Sequence, residues 1–114
     1  MCCVPIKSLN ETFNTNLFCF VLPHITDEVP SQEIPLNDIK IPSNLCLADP
    51  RFHTPSSVDL IIGADVFWDL LGVRKISLGN GKPVLIESRL GWLVSGPLLI
   101  MAKYRIRFLT LSRF

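Results

Sequence analysis

The most constraining feature of the sequence is a series of prolines that interrupts residues 23–55. Six of the nine prolines fall between residues 23 and 55, at Pro23, Pro30, Pro35, Pro42, Pro50 and Pro55. Proline lacks a backbone donor and clashes with the preceding helical turn, so this stretch excludes a long helix. We expect an ordered excursion that covers part of the core. Its short apolar pieces, residues 39–41 and 45–47, are candidates for pairing at sheet edges.

The composition predicts one small domain. The chain has 114 residues, 48% of them hydrophobic, which is enough to build a single core. Charged residues make up 18% and the net charge is +1. Such a balance produces no strong field, so we predict no direct nucleic-acid binding and no attraction to an anionic membrane.

The sequence gives no sign of export or membrane insertion. Glycine, serine and proline interrupt the most apolar stretch, residues 90–102, and a membrane span needs about 20 apolar residues. No basic segment followed by a long apolar stretch opens the sequence, so we predict no signal peptide and a cytoplasmic location. The glycosylation sequon at Asn10 is therefore interpreted as a chance match.

The cysteines and histidines do not form a metal-binding pattern. Cys2 and Cys3 are adjacent, whereas Cys19 and Cys46 are isolated, and His24 and His53 each stand alone in the sequence. Zinc sites usually combine closely spaced cysteine pairs with a second ligand cluster. We predict reduced thiols, no metal and no cofactor.

The sequence predicts one strand in the first half of the chain, and a strand, a glycine turn and a short helix in the second half. Residues 17–22 predict a strand buried on both faces, and residues 58–62 give the strongest strand pattern in the chain. Apolar residues then recur with helical spacing, at Val66, Phe67, Leu70 and Leu71. The helix is expected to begin near Ala64, with Asp65 near its start, and to end near Gly72. Gly63 is interpreted as a backbone requirement of a sharp turn.

Hairpin signals follow the helix. Asn80 and Gly81 tolerate positive φ and predict a turn inside a hairpin over residues 74–87, with Ile76 and Leu78 in one arm and Val84 and Ile86 in the other. A strand over residues 90–94 should stop at Ser95, Gly96 and Pro97. Beyond it, residues 98–114 alternate basic and apolar side chains, among them Lys103, Tyr104, Arg105 and Arg113. This tail reads either as a basic-faced strand or as an extension without its own fold.

No catalytic signature appears in the sequence. There is no nucleophile motif, no Walker loop and no dinucleotide-binding glycine pattern. Asp59, Asp65 and Asp69 form an acidic group around the predicted helix, and the last two should share one solvated helix face. Trp68 and Trp92 are predicted to pack in or near the core.

Three blocks of sequence resemble a known family. They are VLPHITDEVPS at residues 21–31, LADPRFHTPSSVDLIIGADVFWDLL at 47–71, and RLGWLVSGP at 89–97. In this order they resemble the retropepsin-like aspartic peptidase region of Pao/BEL-type LTR retrotransposon polyproteins, over roughly residues 13–97. The resemblance implies a mainly β, partial acid-protease half-barrel with one short helix. It also implies a homodimer and polyprotein peptides as the substrate of the parent family.

Two departures from that family bear on activity. Its catalytic D-[ST]-G triplet is absent from this sequence, and Ala64 stands where many retroviral-type proteases carry an arginine. No catalytic residue is therefore assigned, and Asp49, Asp59 and Asp65 are considered poor substitutes. We expect residues 1–97 to be the C-terminal part of a peptidase domain that is inactive alone. A non-catalytic β-rich interaction module and a fragment of an α/β nucleotide-binding enzyme are the alternatives.

Overall fold

The chain is mainly β, as predicted. The computed structural model describes the backbone of residues 1–102 and 105–111, and the side chains of residues 1–37 and 39–96. Within these residues there are six strands, one α-helix and one short 3-10 helix. The strands form two antiparallel sheets, one of two strands and one of four. Because the described part has one helix and no parallel sheet, the α/β nucleotide-binding alternative is wrong.

The first sheet is a hairpin of β1 (Cys2–Lys7) and β2 (Asn14–Cys19). The Ser8 hydroxyl and the Thr12 hydroxyl both donate hydrogen bonds to the Asn10 side-chain oxygen, at 2.8 and 2.7 Å. Asn10, the first residue of the sequon, is thus an acceptor that organises the hairpin loop, a common role for asparagine in turns.

The prediction for residues 17–22 is wrong in its bounds and in its burial. β2 begins three residues earlier and ends at Cys19. Leu17 is buried, but Phe18 and Phe20 are each 77% exposed. Phe18 lies opposite the exposed Cys3, on the face of the hairpin that is open to solvent.

The second sheet is a meander of four consecutive strands. These are β3 (Leu71–Ser77), β4 (Val84–Ser88), β5 (Leu93–Ala102) and β6 (Arg105–Leu111). β3 and β4 form the predicted hairpin, with Ile76 opposite Leu85.

The turn of that hairpin lies where Asn80 and Gly81 predict it. The Lys82 N–H donates to the Gly79 carbonyl at 3.2 Å. The turn therefore consists of residues 79–82, with Asn80 and Gly81 as its two central residues. Of these two, only Gly81 has a positive φ, 71°. This is the pattern of a type II turn, which requires positive φ only at its second central residue.

β5 continues past the predicted stop. It was expected to end at residues 95–97, but it runs to Ala102, paired with β6 from Gly96–Leu111 to Ala102–Arg105. A strand extends as far as its partner supplies hydrogen bonds, and the tail supplies them here. Of the two readings of the tail, the strand is therefore the observed one for residues 105–111. Lys103, Tyr104 and Arg113 lie outside the described residues, and a domain boundary after residue 97 stays a prediction.

The single α-helix of the described residues, α1, spans Ala64–Leu70. The predicted start near Ala64 and the predicted end near Gly72 are both confirmed, although Gly72 itself lies inside β3. The Arg89 N–H donates to the Leu70 carbonyl at 2.9 Å, so a β4–β5 connection residue satisfies this helix end. Trp68 is 69% exposed, so its predicted packing role is wrong, whereas Trp92 is buried as predicted.

Residues 58–62 do not form a strand in the described structure. A strand is defined by its hydrogen-bonded neighbour, and none of the described residues pairs with this segment. Its side chains still alternate, since Val58, Leu60 and Ile62 are half-buried while Asp59 and Ile61 are exposed. The predicted strand at residues 58–62 is therefore wrong, because the apolar pattern of the segment carries no information about a partner strand.

The proline-rich excursion covers the second sheet, as predicted. The core cluster contains three residues of the excursion and three from the second sheet and its β4–β5 connection. They are Ile34, Ile39 and Phe52 from the excursion, Leu85 and Val94 from β4 and β5, and Trp92, which directly precedes β5. Each of the six side chains is at most 9% exposed.

The excursion is attached to the sheet by backbone hydrogen bonds. The Trp92 N–H donates to the Cys46 carbonyl and the Ala48 N–H donates to the Trp92 carbonyl, both at 2.9 Å. The edge pairing predicted for residues 45–47 is thereby confirmed. Residues 39–41 do not pair with any strand that the structure describes; the Ile39 N–H instead closes the 3-10 helix at Leu36–Asp38.

Two glycines differ sharply in what they require. Gly91 has φ +122°, and a Cβ there would lie 2.7 Å from the Ala48 nitrogen. Gly63 has φ −75° and ψ 166°, a conformation open to any residue, and its nearest obstacle is the flexible Asp65 carboxylate. The prediction that Gly63 is a backbone requirement is therefore wrong, and Gly91 holds that role.

We expect Gly91→Ala to lower the free energy of unfolding by about 1–3 kcal/mol through backbone strain and loss of the close approach to Ala48. Gly63→Ala is the matched control and should stay within about 0.5 kcal/mol of the parent. Urea denaturation of the three chains measures both values. Equal destabilisation by the two changes would contradict this assignment.

Candidate functional site

A groove of about 850 Å³ lies between the β1–β2 hairpin, the excursion and residues 58–62. This volume falls in the range of about 300–1,000 Å³ typical of ligand sites. Apolar side chains form most of its wall, including Ile6, Val29, Leu60, Ile62, Phe67 and Leu90.

Hydrogen bonds fix both ends of the segment that borders the groove. Before it, Val29 and Ser56 exchange backbone bonds of 2.9 and 3.3 Å. After it, the Phe67 N–H donates to the Gly63 carbonyl at 2.9 Å, which begins α1. The segment is thus held in place at its flanks.

Between these flanks the backbone is open. Residues 58–62 make no backbone hydrogen bond with any other residue that the structure describes. Ile61 is 67% exposed, so an apolar side chain accompanies the open N–H and C=O groups. An unpaired extended segment of this kind is a template for adding a further strand.

Four charged side chains line the groove, and their signs balance. They are Lys7, Arg51, Asp49 and Asp59. The Asp49 carboxylate accepts a hydrogen bond from the Arg51 backbone N–H at 3.0 Å, which orders the turn after the excursion's attachment. The Asp59 residue is exposed.

The groove brings together two of the acids considered from the sequence and leaves the others out. Asp49 and Asp59 both line it, whereas Asp65 and Asp69 are exposed on α1 and do not. Asp49 accepts the Arg51 N–H, whereas Asp59 is exposed on the segment at residues 58–62. Their surroundings therefore differ from those of the two equivalent, proton-sharing carboxylates that aspartic proteolysis needs.

The remaining candidate ligands are dispersed. Within the described residues no three His, Cys, Asp or Glu side chains come close enough to hold a metal ion. At the surface, the His24 Nε2 atom lies 3.8 Å from the Asp27 Oδ1 atom. The Nδ1 atom of His53 is buried and has no hydrogen-bond partner in the described structure. All four cysteines are free thiols.

Sequence reasoning missed the contribution of β1 to the groove. Ile6 and Lys7 line the groove from the end of β1, and Leu9 lines it from the loop that follows. The available signal was the Ser-Leu-Asn-Glu-Thr segment, whose polar residues are typical of a turn between two strands. Interpreting Asn10 only as part of a sequon concealed that signal.

Comparison with protein-family models, with curated proteins and with solved structures gave no match. In the described part of the chain, α1 falls far short of the length and apolarity that crossing a membrane requires.

We expect Asp49→Ala to destabilise the chain by about 0.5–1.5 kcal/mol, because the Arg51 N–H loses its carboxylate acceptor. Asp59→Ala is the control: it removes an exposed groove acid and should change stability by less than about 0.5 kcal/mol. Thermal and urea melts of both variants test this difference. A larger effect at Asp59 would reverse the roles given to the two acids.

Proposed function

We propose that this chain is the C-terminal part of a retropepsin-like aspartic endopeptidase domain of the Pao/BEL retrotransposon type, inactive as an isolated chain. The supporting observation is the open segment at residues 58–62, which runs along a groove and leads directly through Gly63 into α1. In the family that the sequence resembles, an apolar strand ending in glycine runs beside the active-site loop and enters the one short helix.

Inactivity follows from the chemistry of aspartic proteolysis. One carboxylate acts as base on a water while a second donates a proton to the scissile carbonyl, and their closeness drives their pKa values apart. In the retroviral type each subunit supplies one D-[ST]-G triplet to a single site between two copies. A chain that lacks the triplet lacks both the aspartate and the loop that holds it.

Asp49, Asp59 and Asp65, the three aspartates considered from the sequence, are poor replacements for that group. The Asp49 carboxylate is engaged by the turn at Arg51. Asp59 alternates outward from an extended segment, and Asp65 is exposed in the first turn of α1. These three positions lie on different elements and supply no proton-sharing pair.

A parent peptidase domain of this type implies particular partners and a particular cellular location. The parent domain would act as a homodimer on extended peptides of its own polyprotein, without metal or cofactor. Its free thiols fit a reducing, cytoplasmic environment. Residues 58–62 would pair with a strand from the segment that carries the triplet.

A non-catalytic interaction module is the second candidate. The observation that favours it is the groove itself, which has balanced charges and an open backbone edge. Such an edge binds an extended peptide through backbone hydrogen bonds without cleaving it. The two candidate functions predict different genomic surroundings, because only the peptidase requires a D-[ST]-G triplet encoded upstream.

The test combines the locus with an activity assay. The sequence that precedes the Met1 codon should encode a D-[ST]-G triplet, and reverse-transcriptase sequence should follow the chain. We expect no cleavage of a broad peptide library by the 114-residue chain at about pH 4–6, since general base and general acid are absent together. A chain extended upstream through the triplet should cleave the library.

The matched control is the extended chain with Asp→Asn in the triplet, which should be inactive. Absence of a triplet from an intact locus would favour the interaction module. Cleavage by the short chain that Asp49→Asn or Asp59→Asn abolishes would overturn the proposal and identify that residue as the catalyst.

A further inference from the structure

Two of the four free cysteines face each other across the first sheet. Cys2 in β1 is the direct cross-strand partner of Cys19 in β2. Cys2 is exposed and Cys19 is half-buried, and both are free thiols. We propose that Cys2 and Cys19 form a reversible cross-strand disulfide by exchange with a low-molecular-weight disulfide of the glutathione type.

The register supplies the separation that a disulfide needs. The Ser8 N–H donates to the Phe13 carbonyl at 2.9 Å, so this pair is a hydrogen-bonded one. Hydrogen-bonded and non-bonded pairs alternate along an antiparallel ladder, which makes Pro5 non-bonded and Cys2–Cys19 bonded. Opposed Cα atoms of a bonded pair lie about 5.5 Å apart, close to the commonest disulfide value.

The same register predicts an easily reduced bond. Opposed Cβ atoms lie about 4.5–5.5 Å apart, and the bonded pairs are at the wider end, whereas a disulfide needs about 3.5–4.5 Å. Closing this gap requires a local twist of the hairpin, which is available because the pair is the last one of the ladder. Strained and exposed disulfides are the readily reduced ones.

The other cysteines are placed so that they do not compete. Cys3 is opposite Phe18 and therefore projects from the other face of the hairpin. Cys46 lies on the excursion, where its carbonyl accepts the Trp92 N–H. The pairing is thus specified by the hairpin register and not by nearness in the sequence.

The exchange balances in two steps. The Cys2 thiolate attacks one sulfur of the small disulfide, forming a mixed disulfide and releasing one thiolate. The Cys19 thiolate then attacks the Cys2 sulfur of the mixed disulfide and releases the second. The two cysteines lose two protons and two electrons, and one small disulfide is reduced to two thiols.

The disulfide would restrict the motion of β1, which forms one wall of the groove. β1 carries Ile6 and Lys7 to the groove, and the disulfide closes the open end of the hairpin that holds them. Cross-linking two chain segments restricts the unfolded chain, so the oxidised protein should melt at a higher temperature than the reduced one.

The experiment equilibrates the full chain with mixtures of reduced and oxidised glutathione, blocks free thiols and maps tryptic peptides by mass spectrometry. Cleavage after Lys7, Lys40 and Arg51 separates Cys19 in residues 8–40 from Cys46 in 41–51 and from Cys2 and Cys3 in 1–7. We expect the link between 1–7 and 8–40 to dominate, and excess reduced glutathione to abolish it. The same reaction in guanidinium should give a mixture of all pairings.

Two variants separate the adjacent cysteines. Cys3→Ser should keep the link and its rise in melting temperature, whereas Cys2→Ser should lose both. Cys46→Ser serves as a further control and should behave like the parent. The proposal is overturned if the native chain gives the same mixture as the denatured one, if Cys2 and Cys3 link within residues 1–7, or if Cys2→Ser keeps the link.

Discussion

The fold depends on one exchange of backbone hydrogen bonds, in which Trp92 binds the excursion on both sides of Leu47. The Trp92 N–H reaches the Cys46 carbonyl, and the Ala48 N–H reaches the Trp92 carbonyl. Gly91 makes this approach possible because it has no side chain. The Trp92 ring is buried, and the Arg74 guanidinium lies 5.2 Å from its centroid. The attachment holds the excursion beside the sheet where Ile34, Ile39 and Phe52 pack against Leu85 and Val94.

The attachment also determines where the groove lies. Once residues 46–48 are fixed on the sheet, the following turn at Asp49 and the return of the chain against Val29 direct residues 58–62 along the β1–β2 hairpin. The segment arrives extended, with half-buried apolar side chains and an open backbone. Both candidate functions use this edge, and they differ in whether its partner strand belongs to the same parent domain or to another protein.

Local signals in the sequence predicted local structure well. The turn at Gly81, the start of α1 at Ala64 and the covering role of the proline-rich excursion follow from the conformational limits of individual residues. Long-range pairing did not follow in the same way. The apolar runs at residues 17–22 and 58–62 look alike in the sequence, yet only the first includes part of a strand, because β1 offers it a partner.

The site was less predictable than the fold for the same reason. Asp49 and Asp59 are ten positions apart in the sequence and line one groove, whereas Asp65, closer to Asp59, does not. Glycine is required at Gly91 and not at Gly63, where the sequence predicted it. The close contact of Gly91 is with Ala48, which is distant in the sequence, so local patterns do not reveal it. The opposition of Cys2 and Cys19 is visible only in the register of β1 and β2.

Amide hydrogen exchange tests the attachment of the excursion most directly. We expect the Ala48 and Trp92 amides to exchange as slowly as that of Leu85 in the central strand β4, because they open only when the core opens. The Ile61 amide should exchange rapidly, since its backbone is unpaired among the described residues. Exchange of Ala48 as fast as that of Ile61 would contradict the claim that this contact holds the excursion on the sheet.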